Sequence, residues 1–247
     1  VQDAFTKSGT HLELFSEKKK DGGYDMYHFS MDYFTDAFAP IISCMNVTLL
    51  ITFASFVLSF VLAIVLAIIS FSKSKIVDSI LKVWLSLFRG TPLLAQLFLF
   101  CYGIFPYIPG INKLSLTGQA IFCLSLSFSS YMAETIRGAI LSVDKGQMEA
   151  SITTGMSTLQ AYIHVILPQA FRLAIPALMN NFIDCFKGSS LCSMVGVVDM
   201  MLRAKMLANK TYRFIEVYLC VLILYWFLNM IFVAIQKMIE RKASSKY

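Results

Sequence analysis

The chain has 247 residues, of which 57% are apolar and 15% are charged, and it carries a formal net charge of +6. Soluble domains are about 45–50% apolar and about 25% charged, so this composition excludes an ordinary soluble domain, a disordered chain and a secreted disulfide scaffold. The positive charge is concentrated after residue 40, where Lys and Arg orient membrane helices, and it therefore does not indicate binding of nucleic acid.

Residues 1–40 are polar and end in a segment rich in Tyr and Phe. A secretory signal peptide has a basic start, then an apolar stretch and a cleavage site, and this order is absent here. We therefore predict a polar N-terminal tail followed by an interfacial segment whose aromatic side chains lie at the level of the lipid headgroups. The sequence begins with Val1 rather than Met, which leaves open that further residues precede it.

Long stretches without charge follow, between Asp36 and Lys73, between Lys113 and Glu134, and between Glu216 and Lys237. A membrane-spanning helix needs about 20 apolar residues, so we predict an all-α membrane protein with a transmembrane domain over residues 41–247. Five spans are expected: within Ile41–Phe71; about Leu81–Phe105, interrupted at Arg89–Pro92; about Thr117–Leu141; about Ala170–Val198, with a break near Gly188; and about Val217–Lys237.

The distribution of basic residues predicts how these spans are oriented. Lys73, Lys75 and Lys82 follow the first span, and a second basic group ends the chain. Because positively charged loops stay on the cytoplasmic side, we expect the N-terminus outside and the C-terminus inside. The basic segment Leu202–Phe214 disagrees, since five spans place it outside.

The polar segment Ser142–Pro168 between the third and fourth spans has helical periodicity on both sides of Gly155. Ser157 and Gln160 have capping-box spacing, and an apolar stripe then follows up to Pro168, where we expect the helix to end. The stripe consists of Leu159, Tyr162, Ile163 and Ile166. This pattern predicts two short helices at the membrane surface, either as an interfacial hairpin or as a docking element for another protein.

Three motifs in this order resemble the permease subunits of ATP-binding-cassette (ABC) importers, in particular the branch that transports polar amino acids. The first is Phe88-Arg89-Gly90-Thr91-Pro92-Leu93-Leu94-Ala95-Gln96-Leu97-Phe98, and the second is Tyr131–Ile140, with Ala133, Glu134, Arg137 and Gly138. The third is the EAA signature, formed here by Glu149, Ala150 and Ser151, then Gly155, then Leu167 and Pro168.

The resemblance implies a type I importer fold in the inner membrane of a bacterium, with a cytoplasmic coupling helix within Ser142–Pro168 that contacts an ATPase subunit. The residues it assigns to coupling are Glu149, Ala150, Gly155, Leu167 and Pro168. The implied partners are two ATPase subunits, a second copy of the permease or a paralogue, and an extracytoplasmic amino-acid-binding protein. The chain contains no GxxxxGK[ST] phosphate loop, so we expect it to hydrolyse no ATP itself.

Charged residues inside the spans are costly and are candidates for substrate contact. Glu134 and Arg137 lie on the same face of the third span as Ser127 and Ser130, and they form either an intrahelical ion pair or a site for the ammonium and carboxylate of an amino acid. Arg89 is an anchor, an ion-pair partner or a substrate contact.

The fourth span carries a second polar stripe of Asn180, Asp184 and Lys187, in which the two charges either neutralise each other or contact the ligand. Gly188 follows where the family commonly has a polar residue, so the chain departs from the family pattern at this position.

The sequence therefore predicts a membrane permease that imports a polar amino acid, driven by a separate ATPase chain. The alternative is an ion-coupled secondary carrier or channel, although no internal duplication typical of such carriers is visible. No enzyme motif of the HExxH or GxSxG type occurs. The six cysteines lie in apolar segments without a CxxC pair, so we expect packing residues, no metal site and no cofactor.

Overall fold

The computed structural model describes residues 29–72 and 74–244, and within them it contains helices and no strand. The predicted polar tail, apart from its last residues, lies outside the described part. The α-helices are α1 (Met31–Ile42), α2 (Met45–Ile69), α3 (Lys75–Gly90), α4 (Leu93–Phe98), α5 (Leu116–Ser142), α6 (Lys145–Thr153), α7 (Thr158–Ala161), α8 (Leu167–Ser189), α9 (Met200–Thr211) and α10 (Phe214–Ser244).

Three helical stretches in the described part are long and apolar enough to cross a membrane: Met45–Ile69, Thr158–Val195 and Phe214–Lys242. The bent pair Lys75–Gly90 and Leu93–Tyr107 raises the number to four if it counts as one span. These elements correspond to the predicted first, fourth, fifth and second spans, and the all-α fold is confirmed. The count of five spans stays a prediction.

The predicted third span coincides with α5, whose bounds agree with the prediction to within a residue. This helix is not among the three stretches that are long and apolar enough to cross a membrane, because its serines and its charged residues lower its mean hydropathy. It is nevertheless the central helix, with ten buried residues. Most of its apolar surface is covered by other helices of the chain.

Small polar side chains bring α2 and α5 into close contact. The Ser59 hydroxyl donates to the Ser125 carbonyl (3.2 Å), and the Ser125 hydroxyl donates to the Ser55 carbonyl (3.4 Å). Small residues allow the backbones of membrane helices to approach closely, and their hydroxyls are satisfied by the neighbouring helix. Four buried cysteines line the adjoining core as packing residues: Cys101, Cys123, Cys185 and Cys192.

The predicted second span is a helix that bends by 108° between α3 and α4. The sequence predicts a helix break at Gly90 with Thr91 capping the new helix. The structure contains the break, but Thr91 caps the preceding helix α3 instead of the new helix α4. The Thr91 hydroxyl donates to the Leu87 carbonyl at the end of α3 (2.7 Å). After α4 the chain continues as a π-helix over Leu99–Ile104.

The expectation that Pro168 ends a helix is wrong. The chain is continuously helical over Thr158–Val195, with Pro168 near the start of α8. Proline removes an N–H donor and crowds the carbonyl four residues earlier, and the wider π-helical turn Tyr162–Ile166 immediately before it relieves that conflict. The predicted break near Gly188 is a change to a 3-10 helix over Ser190–Val195.

The basic segment Leu202–Phe214 is not an irregular loop, since most of it forms α9, which packs against α1 and α10. The side of the membrane on which it lies stays a prediction. Arg213 lies 3.3 Å from Glu216 in a nearly buried ion pair, and the Ser30 N–H donates to the same carboxylate (3.1 Å). The start of α1 is thus held against α10, and one of the basic charges that conflicted with the predicted orientation is neutralised.

Asp199 caps the start of α9 from a completely buried position between two spans. Its Oδ1 accepts a hydrogen bond from the Leu202 N–H (2.8 Å), while its Oδ2 has no hydrogen-bond partner among the described residues. Burial raises the pKa of this carboxyl to about 6, because the ionised form loses its hydration.

Candidate functional site

Three charged side chains form a cluster at the end of α3 and in the last third of α5. The Glu134 carboxylate lies 3.0 Å from Nη2 of Arg137 and 3.7 Å from Nη1 of Arg89. The side chains are partly open, with 28% of Glu134, 40% of Arg137 and 44% of Arg89 exposed. Because two guanidiniums face one carboxylate, the cluster carries an excess positive charge beside a counter-charge.

The helix break places Arg89 in this cluster. Arg89 is the penultimate residue of α3, and its backbone carbonyl accepts a hydrogen bond from the Tyr131 hydroxyl of α5 (3.4 Å). Its guanidinium lies 5.9 Å from the centroid of the Tyr131 ring. The sequence leaves three roles open for Arg89: an anchor, an ion-pair partner or a substrate contact. The structure shows Arg89 as an ion-pair partner of Glu134.

The serines that share the helical face of Glu134 are not part of the open cluster. Ser127 and Ser130 are 2% and 0% exposed, and the Ser130 hydroxyl donates to the Ser127 carbonyl. The accessible polar surface on α5 therefore begins at Tyr131 and runs toward Arg137.

Helix α8 approaches the cluster through a residue that the sequence reasoning missed. Asn181 donates a hydrogen bond to the Thr135 hydroxyl (3.1 Å), and Gly188, two turns later, faces Phe128. Asp184 lies on the same face between these two contacts, about one helical turn from each, and so opposite the Tyr131 turn of α5.

The predicted stripe on α8 is thus divided between two faces. Asp184 and Lys187 form an exposed ion pair of 3.5 Å, with 65% and 60% of their side chains exposed. Asn180 instead accepts a hydrogen bond from Gln236 of α10 (3.1 Å) and belongs to that helix contact. A shift of one residue, to Asn181, Asp184 and Gly188, would have predicted the face toward α5.

The segment after α5 forms a tight helical hairpin. Helix α6 ends in a Schellman turn, in which the Met156 N–H donates to the Ser151 carbonyl (3.1 Å) and the Gly155 N–H to the Ile152 carbonyl (3.0 Å). Gly155 has a φ of 90°, a left-handed conformation that favours glycine. The predicted capping box of Ser157 and Gln160 is confirmed, with both of its hydrogen bonds present.

The apolar stripe of the hairpin separates into an inner and an outer side. Tyr162 and Ile166 point inward and pack with Val143 and Ala170. The outer side carries large apolar side chains that are 37–69% exposed, namely Ile152, Met156, Leu159, Ile163 and Leu167. We call these five residues the outer hairpin face.

The residues of the EAA signature are arranged around the outer hairpin face. Glu149, Ala150, Gly155 and Pro168 are exposed, as is Leu167, while Ser151 is buried and donates to the Gln147 carbonyl. The small residue at position 151 thus packs inward while its neighbours point away from the rest of the chain. The exposure of five large apolar side chains on one short segment makes the outer hairpin face a candidate interaction site.

Comparisons with known proteins place the chain among transport proteins. Residues 59–245 match the family model described as "binding-protein-dependent transport system inner membrane component". The chain is 46% identical over 178 residues to the probable amino-acid ABC transporter permease protein PatM of Vibrio harveyi, covering 71% of this chain and 78% of that one. It is 38% identical over 216 residues to the probable amino-acid permease protein YxeN of Bacillus subtilis, covering 87% and 96%.

Solved structures show the same fold. A crystal structure of an amino acid ABC transporter with histidines matches with a TM-score of 0.80 at 29% identity, covering 87% of this chain and 99% of that one. An inward-facing structure of the MetNI methionine ABC transporter matches with a TM-score of 0.67 at 19% identity, covering 81% and 96%, and supports the fold alone.

Proposed function

Because the chain belongs to the family of binding-protein-dependent transport system inner membrane components, we propose that it is the subunit through which a polar amino acid enters the cell, driven by ATP hydrolysis on a separate subunit. Its relatives are amino-acid ABC transporter permeases, and it is a permease subunit of this kind. The finer assignments below concern its orientation, its partners and its substrate contacts.

The N-terminus lies outside and the C-terminus inside in the proposed arrangement. The hairpin Lys145–Pro168 then faces the cytoplasm together with the basic residues near Lys75 and at the end of α10. The binding protein delivers the substrate on the opposite side, and a second copy of the permease or a paralogue completes the pathway.

The outer hairpin face is the proposed contact with the ATPase. Its five apolar side chains are exposed, and the inner side of the same hairpin packs on α5 and α8. A displacement of the hairpin by the ATPase is therefore transmitted directly to the two helices that carry Glu134 and Asp184.

The Glu134 cluster is the proposed contact with the amino acid, and its two-to-one charge ratio is the observation that carries this assignment. An α-carboxylate would bind to Arg89 and Arg137, because a guanidinium binds carboxylates with two parallel hydrogen bonds. The ammonium of the same molecule is attracted to Glu134. Asp184 and Lys187 lie on the facing helix as further contacts, while Asn180 serves helix packing.

Uptake by charge variants tests this assignment. Arg137→Lys keeps the charge but loses the planar guanidinium that binds a carboxylate with two hydrogen bonds, so uptake should fall at least tenfold. Glu134→Gln should reduce uptake to a similar extent. Membrane abundance is measured alongside, with the exposed Asp78–Lys82 pair, neutralised as Asp78→Asn/Lys82→Gln, as the control.

The double variant Glu134→Gln/Arg137→Gln separates a substrate site from a structural ion pair. A substrate site predicts uptake at least as low as in the single variants. Normal uptake by the double variant at normal abundance would contradict the proposed substrate contact, because it would mean that the two charges only neutralise each other.

A further inference from the structure

The broken end of α3 is capped by side chains rather than left to solvent. The last carbonyls of an α-helix lack intrahelical donors, and leaving them unpaired in an apolar environment costs free energy. Here the Leu87, Phe88 and Arg89 carbonyls accept hydrogen bonds from the Thr91 hydroxyl (2.7 Å), the Gln96 amide (3.0 Å) and the Tyr131 hydroxyl (3.4 Å). Three of the last four carbonyls of α3 thus have their own side-chain donor.

Gln96 differs from the other two donors because it connects both sides of the bend. It belongs to α4 and is 5% exposed, and its Nε2 also lies within hydrogen-bond distance of the Thr91 carbonyl (3.1 Å) and the Thr91 hydroxyl oxygen (2.9 Å). A single amide group therefore binds the last turn of α3, the Thr91 linker and the first turns of α4 together.

The oxygen of the same amide is unpaired, which indicates that Gln96 acts as a hydrogen-bond donor. The Gln96 Oε1 is buried and has no hydrogen-bond partner within the described part of the chain. Burying an unpaired carbonyl oxygen costs free energy, because the oxygen loses its hydrogen bonds to water, and an apolar side chain of similar size would avoid that cost. The amide at this position is therefore explained by what its N–H groups hold.

We propose that Gln96 is a positioning residue that sets the 108° bend and so holds Arg89 against Glu134. Phe88, whose carbonyl Gln96 binds, is the residue directly before Arg89. If the bend opens, the end of α3 moves relative to α5 and the 3.7 Å contact between Arg89 and Glu134 is lost. The expected effect on uptake rests on the proposed substrate contact, whereas the effect on the bend does not.

The bend is measured with spin labels at Ile76 and Tyr107, which are 74% and 83% exposed on the two arms. A noncanonical amino acid carries the labels, which spares the six native cysteines. Each arm is about 20 Å long at a rise of 1.5 Å per residue, so a bend of 108° places the two positions about 25 Å apart.

The test variant is Gln96→Met, which fills a similar buried volume without hydrogen-bond donors. Opening the bend by about 20° lengthens the label distance to about 30 Å, and we expect such a shift, or an equivalent broadening, in this variant. Thr91→Val should shift the distance in the same direction. Gln119→Met is the matched control, because Gln119 also donates to a backbone carbonyl, that of Leu114, but at an exposed helix start away from the bend.

Transport supplies the second measurement. Gln96→Met should raise the half-saturating substrate concentration at least fivefold with a smaller change in maximal rate, and Gln119→Met should change neither. An unchanged label distance in Gln96→Met would overturn the inference whatever the uptake. A changed distance with an unchanged half-saturating concentration would overturn the positioning role. Failure of the substrate assignment itself is read separately, from normal uptake by the Glu134/Arg137 double variant.

Discussion

Substitution of Gly155 tests how the turn in the hairpin serves coupling. The residue has a φ of 90°, and a Cβ built there meets no atom within 4 Å, so the penalty of a side chain is one of backbone conformation alone. For an L-residue the left-handed region costs about 1–2 kcal/mol. This corresponds to roughly a fivefold to thirtyfold loss in the population of the correctly formed turn.

Three substitutions of Gly155 should weaken association with the ATPase to different extents, according to how well each residue tolerates the left-handed conformation. Gly155→Asn should be nearly neutral, since Asn tolerates the left-handed region; Gly155→Ala should weaken association with the ATPase roughly tenfold; and Gly155→Val should weaken it most, since β-branched residues are strongly disfavoured there. Gly138→Ala is the control, because Gly138 also has open space around it but lies within α5 at an ordinary helical conformation.

The assay is copurification of the ATPase with the membrane-inserted permease, followed by substrate-stimulated ATP hydrolysis in vesicles. Variants should insert normally, because the turn lies outside the spans. Equal association and equal stimulated hydrolysis for Gly155→Val and Gly138→Ala would refute the reasoning that this turn orients the contact with the ATPase.

The remaining predictions concern Asp199 and the orientation of the chain. Burial raises the pKa of Asp199 from 3.8 in the unfolded chain to about 6 in the folded state. Below pH 4 the carboxyl is protonated in both states. As the pH rises from 4 to 6 only the unfolded chain ionises, so the free energy of unfolding falls by on the order of 3 kcal/mol. Asp199→Asn keeps the acceptor for Leu202, so its Tm should equal that of the parent near pH 4 and exceed it by several degrees near pH 6.5; a constant difference would contradict this. For orientation, a cysteine at Asn112 should be labelled from outside intact cells and one at Ser245 only after permeabilisation, and the reverse pattern would invert the proposed topology.

Apolar length and helical periodicity predicted the all-α fold and the approximate position of each long helix, because lipid-facing and core-facing helices both require such stretches. They did not predict the continuity of the helix through Pro168, which depends on a π-helical turn that no local pattern specifies. The packing of α9 was also missed, since its basic residues look like a loop until Arg213 is seen beside Glu216.

The candidate site was predictable only where its residues are close in sequence. Glu134 and Arg137 are three residues apart on one helix, so their pairing follows from helix geometry. Arg89 joins them because of a 108° bend, and the angle of a bend is not encoded in the spacing of residues. The sequence did not indicate that Asn181 contacts α5 while Asn180 contacts α10, because neighbouring residues on a helix point about 100° apart and only the packing decides which face is which. A substrate contact of Asn180 stays a prediction.

Uptake of labelled amino acid into proteoliposomes tests the central claim most directly. The purified chain is reconstituted with its ATPase and binding protein, and each of a set of labelled polar amino acids is supplied outside. We expect accumulation that requires ATP and both partner proteins, and that Glu134→Gln reduces strongly at equal incorporation. Accumulation by the chain alone, driven by an ion gradient without the ATPase, would contradict the account and establish a secondary carrier instead.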